Sequence, residues 1–163
     1  MDLQEFDTLA YRTSKARFNA AERLKRQGVL ALYTSSIMSL AATMLAFNHT
    51  ANYGYIAAIA SSFALVFSLI ESGSERAVKA ERLHQCALTI RKLMYSAKAT
   101  DANITDHVQA YHAAIDACQE NHTPADLQLA LNPNSLVAYN LKAYGVYWLL
   151  MAVASIFIVL GGI

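Results

Sequence analysis

Residues 27–70 contain no Asp, Glu, Lys or Arg. An uncharged stretch of that length is not the surface of a soluble domain. It reads as two apolar runs, 28–47 and 53–70, separated by NHTANYG. Each run is long enough, at about 1.5 Å per residue, to cross a hydrocarbon core of about 30 Å. Lipid offers no partner to a backbone N–H or C=O, so each run must be an α-helix. Asn48, Asn52 and Gly54 favour a turn between them. The stretch predicts a transmembrane hairpin.

Other absences exclude whole function classes. There are only two cysteines, Cys86 and Cys118, and they form no C-x-x-C pattern. A disulfide framework is therefore not expected, and two reduced thiols packed in helices are. The chain has no Gly-rich phosphate loop, no nucleophile elbow and no pair of carboxylates spaced for hydrolysis. No enzyme activity and no cofactor is expected. A basic face interleaved with aromatics, as RNA binding needs, is missing too, so nucleic acid is not an expected partner. The acidic opening MDLQEFD is not the basic start of a cleavable signal.

The charges that are present are segregated. All 13 Lys and Arg fall in 12–26, in 76–98 and at Lys142. They flank the hairpin on its two outer ends, which the positive-inside rule places in the cytoplasm with the connector outside. Lipid head groups account for the basic clusters at those ends.

Residues 3–27 carry Leu3, Phe6, Leu9 and Ala10, then Ala16, Ala20 and Leu24, at helical spacing. Such a helix either lies on the membrane surface or extends into the cytoplasm; its acidic residues favour extension. Residues 74–98 repeat the pattern with Ala77, Ala80, Leu83, Ala87, Ile90, Leu93 and Met94. Ala-Glu-Arg-Leu occurs at 21–24 and again at 80–83. The two helices are expected to pack as an αα unit. Glu22, Arg23, Glu81 and Arg82 are then either solvated or paired across the helices.

A further helix is expected over 106–121, capped by Thr105, with Val108, Tyr111, Ala114, Ile115 and Cys118 on one side. Thr123 and Pro124 start a short helical turn that Pro133 ends. After a linker helix and Lys142 comes a third apolar run, opened by Tyr144, Tyr147 and Trp148. Aromatics at its head suit a membrane interface, so it is read as a third span whose end leaves the cytoplasm. The alternative is a C-terminal helix docked on protein. The fold class is an all-α membrane protein: residues 1–131 hold the hairpin and its helical extensions, and 132–163 the linker and third span.

Small residues recur along both hairpin helices. Ser35, Ser39, Ala42 and Ala46 form one row, and Ala57, Ser61, Ala64 and Ser68 a second that continues to Glu71 and Glu75. Such rows let helices approach closely. They also suit the lining of a pore assembled from several copies, with Glu71 at its mouth. Both uses remain open on the sequence. Four histidines outside the spans, His84, His107, His112 and His122, are the only metal candidates, and only His112 with Asp116 has ligand spacing. No metal site is expected.

Three stretches resemble the SLATT superfamily, the SMODS- and SLOG-associating two-transmembrane effectors. They are AYRTSKARFNAAERLKRQ running into the first span, the hairpin with ESGSERAVKAERLHQCALTIRKLMY, and YHAAIDACQENHTPADLQLA. The last is similar to a family pattern that falls here on Tyr111, Glu120, Asn121, His122 and Asp126. The likeness covers roughly 8–131, and the third run lies outside it. The resemblance implies a bacterial inner-membrane effector of an antiphage or conflict system, working beside a nucleotide-generating or nucleotide-sensing protein. It implies a homo-oligomer that opens pores and depolarises the cell. A non-conducting anchor that recruits a soluble partner is the alternative. For residues 120–122, a structural corner at a helix end is preferred over a catalytic site.

Overall fold

A computed structural model describes residues 2–47, 53–99 and 104–161. The expected turn at 48–52 and most of the 99–104 loop lie outside the described residues. Helix α1 is Leu3–Phe47, α2 Tyr53–Gly73, α3 Arg76–Ala99, α4 Ile104–Asp116 and α5 Pro124–Leu131. A 3₁₀ turn over Pro133–Ser135 leads into α6, Leu136–Gly161. No strand occurs among the described residues, and the all-α reading holds. Among the described residues three helices are long and apolar enough to cross a membrane, carried by α1, α2 and α6.

The charged helix runs into the first span without a break: α1 is continuous through residues 27 and 28. Nothing in the local sequence stops a helix there, and Gly28 within it is helical. The linker and third span are likewise one helix, α6. Between α2 and α3 the helix does break. Ser74 is a turn residue and Glu75 adopts a left-handed conformation with φ 49°, so α3 begins at Arg76 and not at 74. Helix α4 starts at Ile104, which puts Thr105 inside the first turn, and it ends at Asp116, well short of 121. Its last carbonyls are taken by Ala117 N–H to Ala113 O (3.0 Å) and Cys118 N–H to Ile115 O (3.1 Å). The second of these is the tighter i→i+3 bond that closes a helix end.

The chain divides into two compact units. The first comprises 1–25 and 77–139. Its core is Phe6, Ala10, Cys86, Ile90, Met94, Ala97 and Tyr111, with Val108, Ala114, Ile115 and Cys118 packed on it. The apolar stripes read from α3 and α4 thus meet the start of α1. Phe6 and Tyr111 make an edge-to-face ring pair at 5.9 Å, an arrangement that adds about 1 kcal/mol to burial alone. Ala20, Ala21 and Leu83 form a second buried group, bringing the two Ala-Glu-Arg-Leu segments together.

The second unit comprises 26–76 and 140–163 and holds the three apolar runs. Gln27 donates to the Ala143 carbonyl (2.9 Å), and a Cβ on Gly28 would sit 3.8 Å from Glu71 Oε1. Phe67 packs edge-on against Tyr147 at 5.9 Å. Residues 27–28, 67–71 and 143–147 therefore share one end of this unit. The start of the third run lies beside the two outer ends of the hairpin.

Candidate functional site

Asp126 is the best-held polar residue among those described. It is fully buried at the start of α5. Thr123, the N-cap, accepts from Asp126 N, and the Asp126 carboxylate accepts from Thr123 N–H, completing a capping box. The Thr123 hydroxyl also donates to Oδ2 at 2.7 Å. Local sequence dictates that much. The rest comes from distant residues: Arg23 on α1 donates Nε–H to Oδ1 and an Nη2–H to Oδ2, both at 3.1 Å. Tyr139, on α6, donates its hydroxyl to Oδ1 at 2.7 Å. Asn19 completes the link from α1 by donating to the Asp126 carbonyl at 3.1 Å.

Burial alone would raise the Asp126 pKa. The Arg23 fork, the Tyr139 hydroxyl and the two Thr123 donors outweigh it and hold the carboxyl below its ordinary value. Burial likewise disfavours the Arg23 cation, but bonding to Asp126 reverses this and raises the guanidinium. Each charge stabilises the other, the carboxylate fully buried and the guanidinium only partly exposed.

The other residues of the motif take separate partners and do not converge on a common point. Tyr111 is buried, its hydroxyl 2.9 Å from Thr13 Oγ1 on α1. Glu120 lies 3.9 Å from Arg82 of α3, which also donates to Gln119. Asn121 accepts from His122 N–H at 2.9 Å. Burial and the nearby Arg17 charge lower the His122 pKa, against a smaller opposing pull from Asp126. The segment from Cys118 to Thr123 is a corner, fastened to α1 through Asp126 and to α3 through Glu120.

Arg23 and Arg82 are both drawn to this corner, where the sequence had offered helix-to-helix pairing with Glu22 and Glu81. Glu81 instead accepts from Gln85 on its own helix at 2.6 Å. Tyr139 and Asn19 were not among the candidates, because neither stands in a motif. His84 packs edge-on against Phe18 and His112 against Tyr111. Among the described residues no three His, Cys, Asp or Glu group as metal ligands would.

The small-residue rows of the apolar unit lie at the edge of its packed face. Ala42, Ala57 and Ala64 are buried, together with Ala31, Thr34, Ala41 and Leu45. Ser39, Ser61 and Ser68 are exposed, and Ser35 is half-buried. At about 100° per residue, Ser39 stands about 60° round the helix from Ala42, and Ser61 the same from Ala64. In the first row Ala42 packs the unit while Ser39 and Ala46 are left open; in the second Ala57 and Ala64 pack it while Ser61 and Ser68 are left open. At the shared end, Glu71 pairs with Arg76 at 2.8 Å, and Arg76 also donates to the Tyr147 hydroxyl.

Residues 3–162 match the family model for SMODS and SLOG-associating 2TM effector domain, family 5. The match takes in the third apolar run, which the resemblance over 8–131 had left outside. No curated protein and no solved structure matches the chain.

Proposed function

Since the chain belongs to the SLATT superfamily as a member of its family 5, a 2TM effector domain associated with conflict systems, we propose that it is a pore-forming membrane effector. In this reading several copies assemble in the bacterial inner membrane, and a signal received by the polar unit opens the pore and depolarises the cell. The observation that carries it is the serine edge of α1 and α2. Packing within one chain uses Ala42, Ala57 and Ala64 and leaves Ser39, Ser61 and Ser68 uncovered. Hydroxyls have little reason to face lipid and good reason to face water or a neighbouring copy. Three spans cannot enclose a water path alone, so the lining requires a ring of subunits.

Opening then concerns Glu71. At the end of α2 its charge is matched by Arg76, the first residue of α3. A displacement of α3 would withdraw that cation and leave a ring of carboxylates at the mouth, which favours cations. The polar unit is placed in the cytoplasm on the charge distribution, with the N-terminus there and the C-terminus across the membrane. The signal is a nucleotide or a nucleotide-handling partner, and no catalytic step is assigned to this chain.

The test is membrane potential in cells producing the full chain with and without its partner, backed by conductance in planar bilayers. Ser61→Leu and Ser39→Leu should reduce ion flux while membrane insertion is unchanged. Unaltered flux in both removes these edges from the lining. Absence of depolarisation in every condition, with a partner merely recruited, would establish the non-conducting anchor instead.

A further inference from the structure

The helix break after Gly73 folds the chain back on its own end. The Ser74 N–H (3.1 Å) and the Ser74 hydroxyl (2.7 Å) both donate to the Glu71 carbonyl, which closes α2. Glu75 then takes its left-handed conformation, φ 49°, with the side chain exposed. A residue bearing a Cβ is strained there and would be relaxed in a helix. The turn brings Arg76 back over the end of α2. Its Nη1–H group donates to Glu71 Oε2 at 2.8 Å and to the Tyr147 hydroxyl on α6. Tyr147 is buried and packs edge-on against Phe67 of α2 at 5.9 Å. Arg76 therefore ties the end of α2 to the start of the third apolar run.

That tie is incompatible with a straight helix. Were α2 to run on into α3, Glu71 and Arg76 would stand about 140° apart around the axis and about 7.5 Å apart along it. Residues five apart do not share a helix face, so the ion pair would be lost. The strained turn and the Arg76 bonds thus depend on each other. We propose that residues 74–76 are a two-state switch. In the bent state Arg76 holds Glu71 and Tyr147. In the straight state Glu75 is helical, α2 and α3 are continuous, and Arg76 is released. Arg76 is the last residue of this stretch in the apolar unit, and Ala77 is the first of the next in the polar unit. A ligand or partner that favours one setting of α3 therefore acts on Arg76 through the backbone, and shifts the balance by its preference between the two states. The switch itself does not require ion conduction. Its use as a gate rests on the pore reading, because straightening takes the cation away from Glu71.

The test is the distance between spin labels on cysteines introduced at two exposed positions, Val66 on α2 and Thr89 on α3. The labelled protein is the full chain carrying Cys86→Ser and Cys118→Ser. A straight helix separates the two positions by about 35 Å, and any bend shortens that. The parent should show the shorter distance. Tyr147→Phe removes one acceptor of Arg76 and keeps the ring pair; it and Arg76→Gln should each raise the population at the straight-helix length. Adding Glu75→Gly, which relieves the left-handed turn and weakens a helix through it, should move that population back to the bent form. Partner-independent depolarisation of cells should rise and fall in the same order. Distances that shift with no current in any variant would support the switch and overturn the pore reading. A distribution unmoved by all three substitutions, or a parent already at the straight-helix length, would overturn the switch.

Discussion

Removing the Asp126 carboxylate takes away the acceptor that Arg23, Tyr139 and the Thr123 amide share. Breaking a buried pair from one side costs about 3–5 kcal/mol. Asp126→Ala is expected to lower the melting midpoint of the full chain strongly. Adding Arg23→Ala to it should cost far less than Arg23→Ala alone, and a double-mutant cycle reads that coupling. Acid should act in two stages. The folded state lowers the His122 pKa below 6.5, so this contribution is complete above 6.5 and lost as pH falls through the folded value. Asp126 is held below 3.8, so its contribution persists to about that pH and is lost beneath it. A melting midpoint followed against pH tests both, and His122→Gln should flatten the upper stage only. Asp126 was legible in the sequence only through its place in the family motif, and Thr123 as the cap beside it. Tyr139 and Asn19 were not, because a tyrosine and an asparagine on long helices carry no local mark of their partners.

At the scale of elements, two short segments decide how the helices end. Thr123→Ala removes both the N-cap acceptor and a hydroxyl donated to Asp126; a lost cap costs about 1 kcal/mol. Glu75, at φ 49°, holds a conformation that costs a side-chain-bearing residue about 1–2 kcal/mol and a glycine little. Glu75→Gly should therefore raise the melting midpoint or leave it unchanged. A large loss there would mean the Glu75 side chain has a structural role. The helix starting at Pro124 was readable because a cap acts within one turn. The early end of α4 was not. Residues 117–121 would tolerate helix, and the corner is imposed by the distant attachments of Asp126 and Glu120.

For the whole molecule, the alanine and serine edges of the same rows should behave differently. Ala64→Leu overfills a packed face, at a cost of about 1–3 kcal/mol, and should reduce folded protein recovered in detergent. Ser61→Leu adds bulk to an open edge and should leave recovery intact while conductance falls. Equal loss of recovery in both would place Ser61 in the packing as well. Particles of the full chain should form closed rings around a central axis; a monomer or dimer under all conditions would count against the pore.

The sequence by itself determined that 28–47 and 53–70 are helices long and apolar enough to cross a membrane, because removing every charge over that length leaves lipid as the favourable surroundings. It determined the family, the apolar stripes of the polar helices and the cap at Thr123, since periodicity and capping depend on neighbours within a turn or two. Only the tertiary structure decided which carboxylate Arg23 takes, how far each small-residue row turns toward its neighbour, and that Cys86 and Cys118 pack on one core cluster. Those outcomes are competitions between distant groups. A guanidinium can satisfy any carboxylate within reach, and a row of small residues suits a helix face or an open edge equally. Packing selects among them, and local sequence does not.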